Sequence, residues 1–301
     1  YTYIMIICGG IFTQVLYNLL SSILIALGNS KTPLYFLLLS AGLNIVLDLV
    51  LIIYFHMGVA GAAYATVISQ GVSGFLCLIF IIKKVPVLHM EKGEFRLEKN
   101  LSIQQLKVGF PMALQYSITA IGTMMVQSAL NMLGSIAVAA FTAANKIENL
   151  LTQAFVAQGM TMATYCAQNM GAGRYDRVHQ GVRAAIIINT IITTVMIIFG
   201  WLLSPALIKL VAGTSASAII DPAVRYVRIG VTCFYVLGPL FVLRCAMQGM
   251  SRKIVPVMSS TIELVGKVLA VMILTPRLGY LGVTITEPIT WFCCTLMLSI
   301  M

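Results

Sequence analysis

Long apolar runs, separated by short polar turns, occupy nearly the whole of the 301-residue chain. A bilayer core about 30 Å thick requires about 20 apolar helical residues at 1.5 Å each. The ten-residue alternating segments of barrel strands do not occur in the sequence. We therefore expect an all-α polytopic membrane protein with nine transmembrane helices, at 3–27, 34–56, 59–83, 106–133, 136–168, 181–203, 221–249, 254–274 and 279–301.

The composition supports this interpretation, because 59% of the residues are hydrophobic and only 9% are charged. A soluble domain carries about 25% charged residues, so soluble enzymes, DNA-binding modules and secreted disulfide scaffolds are excluded. The seven cysteines lie in apolar runs without a C-x-x-C pair, and the three histidines do not cluster. We expect reduced cysteines, no metal site and no cofactor.

The basic residues alternate by side along the chain. Twelve of the 19 Lys and Arg residues lie in the loops at 28–33, 83–107, 169–183 and 249–253, and only four flank the opposite loops. The positive-inside rule makes the basic loops cytoplasmic and predicts a multi-pass protein of the inner (plasma) membrane with a cytoplasmic C-terminus. The net charge of +10 then reflects topology, and no nucleic-acid partner is expected.

An internal repeat appears when the chain is shifted by 221 residues. Gly28-x-Ser30-Lys31 then falls on Gly249-x-Ser251-Arg252, and Gly58-x-x-Gly61 falls on Gly279-x-x-Gly282. Transporter repeats commonly surround a substrate site near the membrane midplane. Between the charged linker and its first motif, the second copy has three helices that the first copy lacks. We predict the last three helices of an N-terminal lobe at 1–83, a cytoplasmic linker at 84–103 and a six-helix C-terminal lobe at 104–301.

Several motifs resemble those of the multidrug and toxic compound extrusion (MATE) family of the MOP flippase superfamily. They are LIALGNSKTP at 24–33, Asn44-x-x-x-Asp48, GVAGAA at 58–63, Gly109-Phe110-Pro111, AQNMGAG at 167–173 and Gln248-Gly249. The resemblance covers essentially the whole chain, as helices 4 to 12 of a twelve-helix, N-terminally truncated protein. It implies two six-helix lobes around a cleft, in a monomer that exports cationic or amphipathic compounds in exchange for H⁺ or Na⁺ by alternating access.

The acidic positions depart from the family pattern. Thr119 stands about where some members have a glutamate in the seventh helix, and Leu237-Gly238 lies near their aspartate in the tenth. The aspartate that other members use in the first helix has no counterpart in this sequence. The coupling acid is therefore either one of the embedded acids below or lies outside this chain.

Ionisable residues deep in helices are the candidates for cation or proton coupling, because a charge at the bilayer centre costs about 2.5–3.5 kcal/mol even on lenient scales. Glu263 and Lys267 share a helix face and form either a coupling pair or a permanent buried pair. Glu287 is a proton carrier or bonds a neighbouring helix. Asp48, on one face with Asn44, binds a cation or bonds between helices. Arg244 is expected to reach the inner surface.

The substrate cavity expected from the resemblance is amphipathic, and seven polar residues are candidates to line it: Gln115, Tyr116, Asn145, Lys146, Glu148, Gln153 and Gln158. Lys146 and Glu148 are two residues apart and so point to different faces, which predicts that only one of them faces the cleft. Three prolines inside predicted helices mark expected kinks that bend during transport or are static: Pro111, Pro239 and Pro288.

Three other functions compete with antiport. A lipid-linked oligosaccharide flippase of the same superfamily would show a strongly cationic cleft, whereas the embedded charges here are mixed. A membrane-embedded enzyme would need a nucleophile–base or metal cluster, and the sequence contains no H-E-x-x-H, paired Asp motif or G-x-S-x-G. A channel fits the repeat and the linker less well than a transporter does.

Overall fold

The computed structural model describes residues 1–88, 96 and 98–301, and these divide into two compact units, Tyr1–Leu97 and Glu98–Met301. Part of the predicted linker at 84–103, residues 89–95 and 97, lies outside the described residues. We call the two parts unit 1 and unit 2. Helices account for the regular structure of both, as expected for a chain whose backbone must satisfy its own hydrogen bonds in lipid.

The described residues of unit 1 form four helices and two short helical turns. The helices are α1 (Thr2–Gly9), α2 (Ile11–Ala26), α3 (Lys31–Leu49) and α4 (Gly58–Lys84), with a π-helical turn at Val50–Tyr54 and a 3₁₀ turn at Pro86–Leu88. The core lies between α2 and α4, where Tyr17, Leu24 and Cys77 are buried. The Tyr17 hydroxyl donates to the Pro33 carbonyl at 3.0 Å, which joins α2 to the start of α3.

The prediction of one continuous helix at 3–27 is wrong. The structure has two helices, α1 and α2, which meet at Gly10 with a 47° bend. A Cβ at Gly10 would overlap the side chain of Val67 on α4. The Thr13 hydroxyl donates to the Gly10 carbonyl at 2.8 Å, and the same hydroxyl lies 3.3 Å from the Val67 carbonyl oxygen. The break therefore results from a contact with a distant helix, which a local hydrophobic pattern does not reveal.

Unit 2 consists of six helices. They are α5 (Lys99–Met132), α6 (Ser135–Gly171), α7 (Tyr175–Ala212), α8 (Ser217–Gly249), α9 (Ile254–Leu278) and α10 (Tyr280–Ile300). The helix end predicted at residue 274 is too early, since α9 continues through Pro276 to Leu278. α5, α8 and α10 likewise continue as helix through Pro111, Pro239 and Pro288, so bending at these prolines stays a prediction.

The core of unit 2 is built around aromatic rings from three helices. Phe155 of α6 and Phe234 of α8 pack edge to face at 5.3 Å between centroids, and Trp291 of α10 lies 6.2 Å from Phe234. α6 and α8 approach closely because Gly249 lies directly against the backbone of Ala163, leaving no room for a Cβ. Small residues permit such close helix contacts in membranes.

Among the described residues, six helices are long and apolar enough to cross a membrane: α3 with its π turn, α4, α7, α8, α9 and α10. The bent pair α1–α2 makes a seventh if it counts as one span. α5 and α6 exceed the length of a span but carry more polar residues, and their crossing of the bilayer stays a prediction. The chain is a multi-pass membrane protein.

Candidate functional site

Four ionisable side chains from three helices of unit 2 form one buried ion cluster: Arg244 of α8, Glu263 and Lys267 of α9, and Glu287 of α10. Glu263 accepts from Arg244 Nη2 at 2.9 Å and from Lys267 Nζ at 3.1 Å, through different oxygens. Lys267 Nζ also lies 2.9 Å from Glu287 Oε1. Lys267 thus bridges two carboxylates, and Glu263 bridges two cations.

The surrounding helices position the cluster by packing and hydrogen bonding. The stem of Lys267 lies against Gly122 of α5, where a Cβ would come within 3.1 Å of its Cδ. Arg244 Nη2 also donates to the Ser259 hydroxyl at 2.8 Å, one turn before Glu263. Lys267 is 3% exposed and Glu263 6%, so the charges compensate one another largely without solvent. An ion pair this buried depends on complete pairing, since loss of one partner strands the other.

Arg244 is bonded within the helix bundle, and its expected reach to the inner surface stays a prediction. It is 9% exposed and is held by Ser259 and Glu263. The distance along α8 allows a long side chain to extend towards the helix end, but the partners on α9 direct it inward. The sequence contains no local signal for this contact, because Arg244 and Glu263 are separated by a turn and lie on different helices.

Glu148 of α6 is a fifth buried ionisable residue, which has a hydroxyl partner but no salt bridge to a cation among the described residues. Its Oε2 accepts from the hydroxyl of Tyr226 on α8 at 2.8 Å. Its Oε1 is buried without a hydrogen-bond partner among the described residues, as is the Tyr280 hydroxyl of α10. Gly230 provides the space, since a Cβ there would lie 3.3 Å from Oε1. Lys146 is exposed, so only Glu148 of this pair points into the helix bundle.

The other cavity candidates in unit 2 do not gather around the ion cluster. Gln115 is buried and accepts from Gln248 Nε2 at 2.7 Å. Gln158 donates to the Ala185 carbonyl at 2.8 Å and lines a cavity of about 400 Å³ between α6 and α7. The remaining three lie at or near the surface of unit 2: Tyr116 and Gln153, which are exposed, and Asn145, which accepts from Asn149.

Asp48 and Asn44 lie together on α3 in unit 1, both half-buried. The buried Asp48 Oδ1 and Asn44 Nδ2 have no hydrogen-bond partner among the described residues. The two side chains therefore do not bond each other, and the predicted role of Asp48 stays a prediction. Within the ranges that the structure describes, no group of three or more His, Cys, Asp or Glu residues is arranged to hold a metal ion.

Comparisons with known proteins agree with this architecture. The profile of the MatE family matches residues 109–273, more than half of the chain. The probable multidrug resistance protein YpnP of Bacillus subtilis is 36% identical over 177 residues, which are 59% of this chain and 39% of that protein. The probable multidrug resistance protein YoeA of the same bacterium is 31% identical over 202 residues, 65% of this chain and 44% of that protein.

A solved structure described as the outward-facing conformation of a multidrug resistance MATE family transporter of the MOP superfamily has the same fold. Its TM-score is 0.90 at 22% identity, with 98% of this chain and 66% of that chain covered. The chain spans about two fifths of the length of the curated relatives described above. The match to residues 109–273 nevertheless covers most of unit 2, including Glu148 and three of the four cluster residues. The chain belongs to the MatE family, the multidrug and toxic compound extrusion transporters.

Proposed function

We propose that this chain is part of a secondary antiporter that exports cationic or amphipathic organic compounds in exchange for H⁺ or Na⁺ by alternating access. Family membership and the multidrug resistance names of YpnP and YoeA support export of small organic molecules. The observation that carries the coupling mechanism is the charge balance of unit 2, in which one buried acid, Glu148, has no cationic partner among the described residues.

The ion cluster is balanced by itself. Arg244 and Lys267 supply two positive charges, and Glu263 and Glu287 supply two negative charges. Glu263 is paired with both cations, which supports a permanent ion pair that organises α8 and α9. Glu287 shares Lys267 with Glu263, and its side chain is 17% exposed against 8% for Glu263. Glu287 is therefore the cluster acid that exchanges its partner more easily.

Glu148 adds a negative charge that this cluster does not compensate. A buried ionised carboxylate without a paired cation is costly, and a proton or a bound cation removes that cost. The Oε1 atom is buried without a hydrogen-bond partner among the described residues and lies next to Gly230, which has no side chain there. We infer that Glu148 takes up H⁺, Na⁺ or the cationic group of a substrate in turn, so that binding one releases another.

The test measures dye export by the full-length protein in vesicles, with a pH jump and a sodium gradient imposed separately. Glu148→Gln keeps the side-chain size and removes the exchangeable charge. We expect export to fall roughly 10–100-fold, corresponding to a lost interaction of about 1.4–2.8 kcal/mol. Asp176→Asn is the matched control, because Asp176 is an exposed acid at the start of α7 whose partner is Arg174. The control should export at the unaltered rate.

Two results would overturn parts of this proposal. Unaltered, gradient-driven export by Glu148→Gln would exclude Glu148 as the coupling acid while leaving antiport intact. Failure of both gradients to move any dye, together with transport of a lipid-linked sugar, would replace antiport by flippase activity. The proposal also places the protein in the plasma membrane as a monomer with Met301 cytoplasmic, as the basic loops predict. A C-terminal reporter that is active only in the periplasm should therefore be inactive.

A further inference from the structure

A groove between α7 and α8 carries charges that neither the ion cluster nor Glu148 uses. Its volume is about 620 Å³. Asp221, Arg225 and Arg228 line one end, four and then three residues apart on α8, so they share a helix face. Trp201 of α7 forms the facing wall. We call this the arginine groove.

The two arginines differ in how they are held. Arg228 Nη2 donates to the Trp201 carbonyl at 3.1 Å, and its guanidinium lies 5.0 Å from the centroid of the indole ring. Its Nε is buried without a partner among the described residues. Arg225 is exposed and makes no hydrogen bond or ion pair within the part of the chain that the structure describes. The groove thus offers one guanidinium held against the Trp201 indole and one exposed guanidinium without a partner among the described residues.

The groove is polar at one end and apolar at the other. From Asp221 it extends past Ile229 to Cys233, twelve residues or about 18 Å along α8. The charged end lies in the first turns of α8, close to the end of the span, where arginine and tryptophan side chains meet lipid headgroups. Deeper in the span, Ile229 and Cys233 form an apolar floor. This gradient matches a molecule with a charged head and a hydrocarbon chain.

We propose that the arginine groove binds one anionic glycerophospholipid, with its phosphate between Arg225 and Arg228 and an acyl chain along Ile229 and Cys233. Two arginines and Asp221 give the charged end a net charge of +1, which a lipid of charge −1 neutralises. Arginine forks suit phosphate oxygens, and Asp221 can accept from a glycerol headgroup hydroxyl. A zwitterionic lipid would leave the positive charge uncompensated. This site is independent of the proposed coupling at Glu148.

The test uses Trp201 as the reporter, because it is 49% exposed in the groove whereas Trp291 is 6% exposed in the core. Trp291, and any tryptophan outside this chain, is replaced by Phe in the full-length protein. The protein is placed in phosphatidylcholine vesicles containing a small fraction of brominated phosphatidylglycerol or, separately, brominated phosphatidylcholine. We expect phosphatidylglycerol to quench Trp201 with about fivefold higher apparent affinity, the effect of one uncompensated arginine charge near the surface.

The Arg225→Gln/Arg228→Gln double variant should abolish this preference, bringing the affinity ratio to one. Arg277→Gln is the matched control, since Arg277 is an exposed arginine at the end of α9 outside the groove, and it should keep the preference. Equal quenching by both lipids in the parent protein, or a preference that survives the double variant, would overturn the proposal. Loss of the preference on adding inorganic phosphate would overturn it too, by showing a site for free anions.

If Trp291→Phe disturbs the core, native mass spectrometry of the protein with both tryptophans provides the same comparison. The parent and Arg277→Gln should retain phosphatidylglycerol after detergent extraction, and the double variant should not. Retention by all three would contradict the assignment. Neither experiment measures dye export, so a negative result for lipid binding leaves the antiport proposal standing. In the same way, a negative result for dye export leaves the lipid-binding proposal standing.

Discussion

The helix pairs α3–α4 of unit 1 and α9–α10 of unit 2, related by the 221-residue shift, reverse direction at equivalent glycines, although unit 1 has a π-helical turn at Val50–Tyr54 where α9 continues as an α-helix. Gly58 has φ +54° and its counterpart Gly279 has φ +55°, a region that favours glycine. Three residues on, Gly61 packs against the backbone of Leu51, and Gly282 packs against that of Leu274. The repeated glycines are thus those that the turn and the close helix contact require.

A side-chain contact is repeated as well. The Ser73 hydroxyl of α4 donates to the Phe36 carbonyl of α3 at 2.9 Å. The Cys294 thiol of α10, 221 residues later, donates to the Ser259 carbonyl of α9 at 3.2 Å. The two acceptors differ by only two positions under the same shift. Each unit therefore joins its last two helices by a small buried donor at the same place.

The ion cluster, by contrast, has no counterpart in unit 1. The shift places Arg244, Glu263, Lys267 and Glu287 on Ile23, Gly42, Val46 and Thr66. In the other direction, Asn44 and Asp48 fall on Val265 and Leu269. The residues that shape the turns are common to both copies, whereas the buried ionisable residues belong to one copy each. The repeat thus preserves the turns and the close helix contacts but not the buried charges.

The largest loss of unfolding free energy is expected from removing Lys267, the cation that Glu263 and Glu287 share in unit 2 and that unit 1 lacks at the equivalent position. Lys267→Met leaves Glu287 without its partner and Glu263 with only Arg244. Breaking a buried ion pair costs about 3–5 kcal/mol, and we expect that loss in the free energy of unfolding, measured by titration with a denaturing detergent. The control is Val46→Met, the repeat-equivalent position, which is 55% exposed and should change the free energy by less than about 0.5 kcal/mol.

A double variant sharpens this prediction. Lys267→Met/Glu287→Gln removes the stranded carboxylate and leaves the Arg244–Glu263 pair intact, so part of the lost free energy should return. A Lys267→Met protein within about 1 kcal/mol of the parent would show that the cluster is not the compensated pair system described above. A double variant no more stable than the single one would show that the cost arises from packing against Gly122 rather than from charge.

The positions of the helices could be predicted from the sequence. The faces that the helices turn toward one another could not. Runs of about 20 apolar residues predict most helix ends to within a few residues, because the bilayer requires about that length, although α7 extends well beyond both of its predicted ends. The same reasoning places Glu263 and Lys267 on one face of α9, where the structure shows their 3.1 Å contact. Contacts within one helix follow from its period, and these are the contacts that could be predicted.

Contacts between helices could not be predicted in the same way. Glu287 reaches Lys267, and Arg244 reaches Glu263, only because α8, α9 and α10 are rotated to face one another. The pattern along a single helix does not contain that rotation. Tyr226 was missed for this reason, since it lies 78 residues from Glu148, whose carboxylate it meets. The bend at Gly10 likewise depends on Val67 of another helix.

An intermediate effect is expected at the two turn glycines, where the units should behave alike. Gly58→Ala and Gly279→Ala place a Cβ in open space, so only the left-handed backbone opposes the substitution. A positive φ of this kind costs an L-residue about 1–3 kcal/mol, and both variants should lose unfolding free energy within this range in the same detergent titration. A difference of more than about 1 kcal/mol between the two would show that the turns are not equivalent.

The smallest effect concerns the repeated donors, Ser73 and Cys294, which are 1% and 0% exposed. Ser73→Ala removes a hydroxyl hydrogen bond between helices and should cost about 0.6 kcal/mol, the average for such bonds in membrane proteins. A thiol is a weaker donor than a hydroxyl, so Cys294→Ser exchanges a weak bond for a stronger one at the equivalent position. It should leave the free energy of unfolding within about 0.5 kcal/mol of the parent.

The serine exchange tests the equivalence more strictly than the alanine variant does. If α9 and α10 are spaced as α3 and α4 are, a serine at 294 reaches the Ser259 carbonyl as Ser73 reaches that of Phe36. A loss of more than about 1 kcal/mol in Cys294→Ser would mean that its hydroxyl is buried without a partner. In that case α9 and α10 are spaced for the larger sulfur atom of Cys294. Ser73 and Cys294 would then occupy equivalent positions, but the distance from donor to acceptor helix would differ between the units.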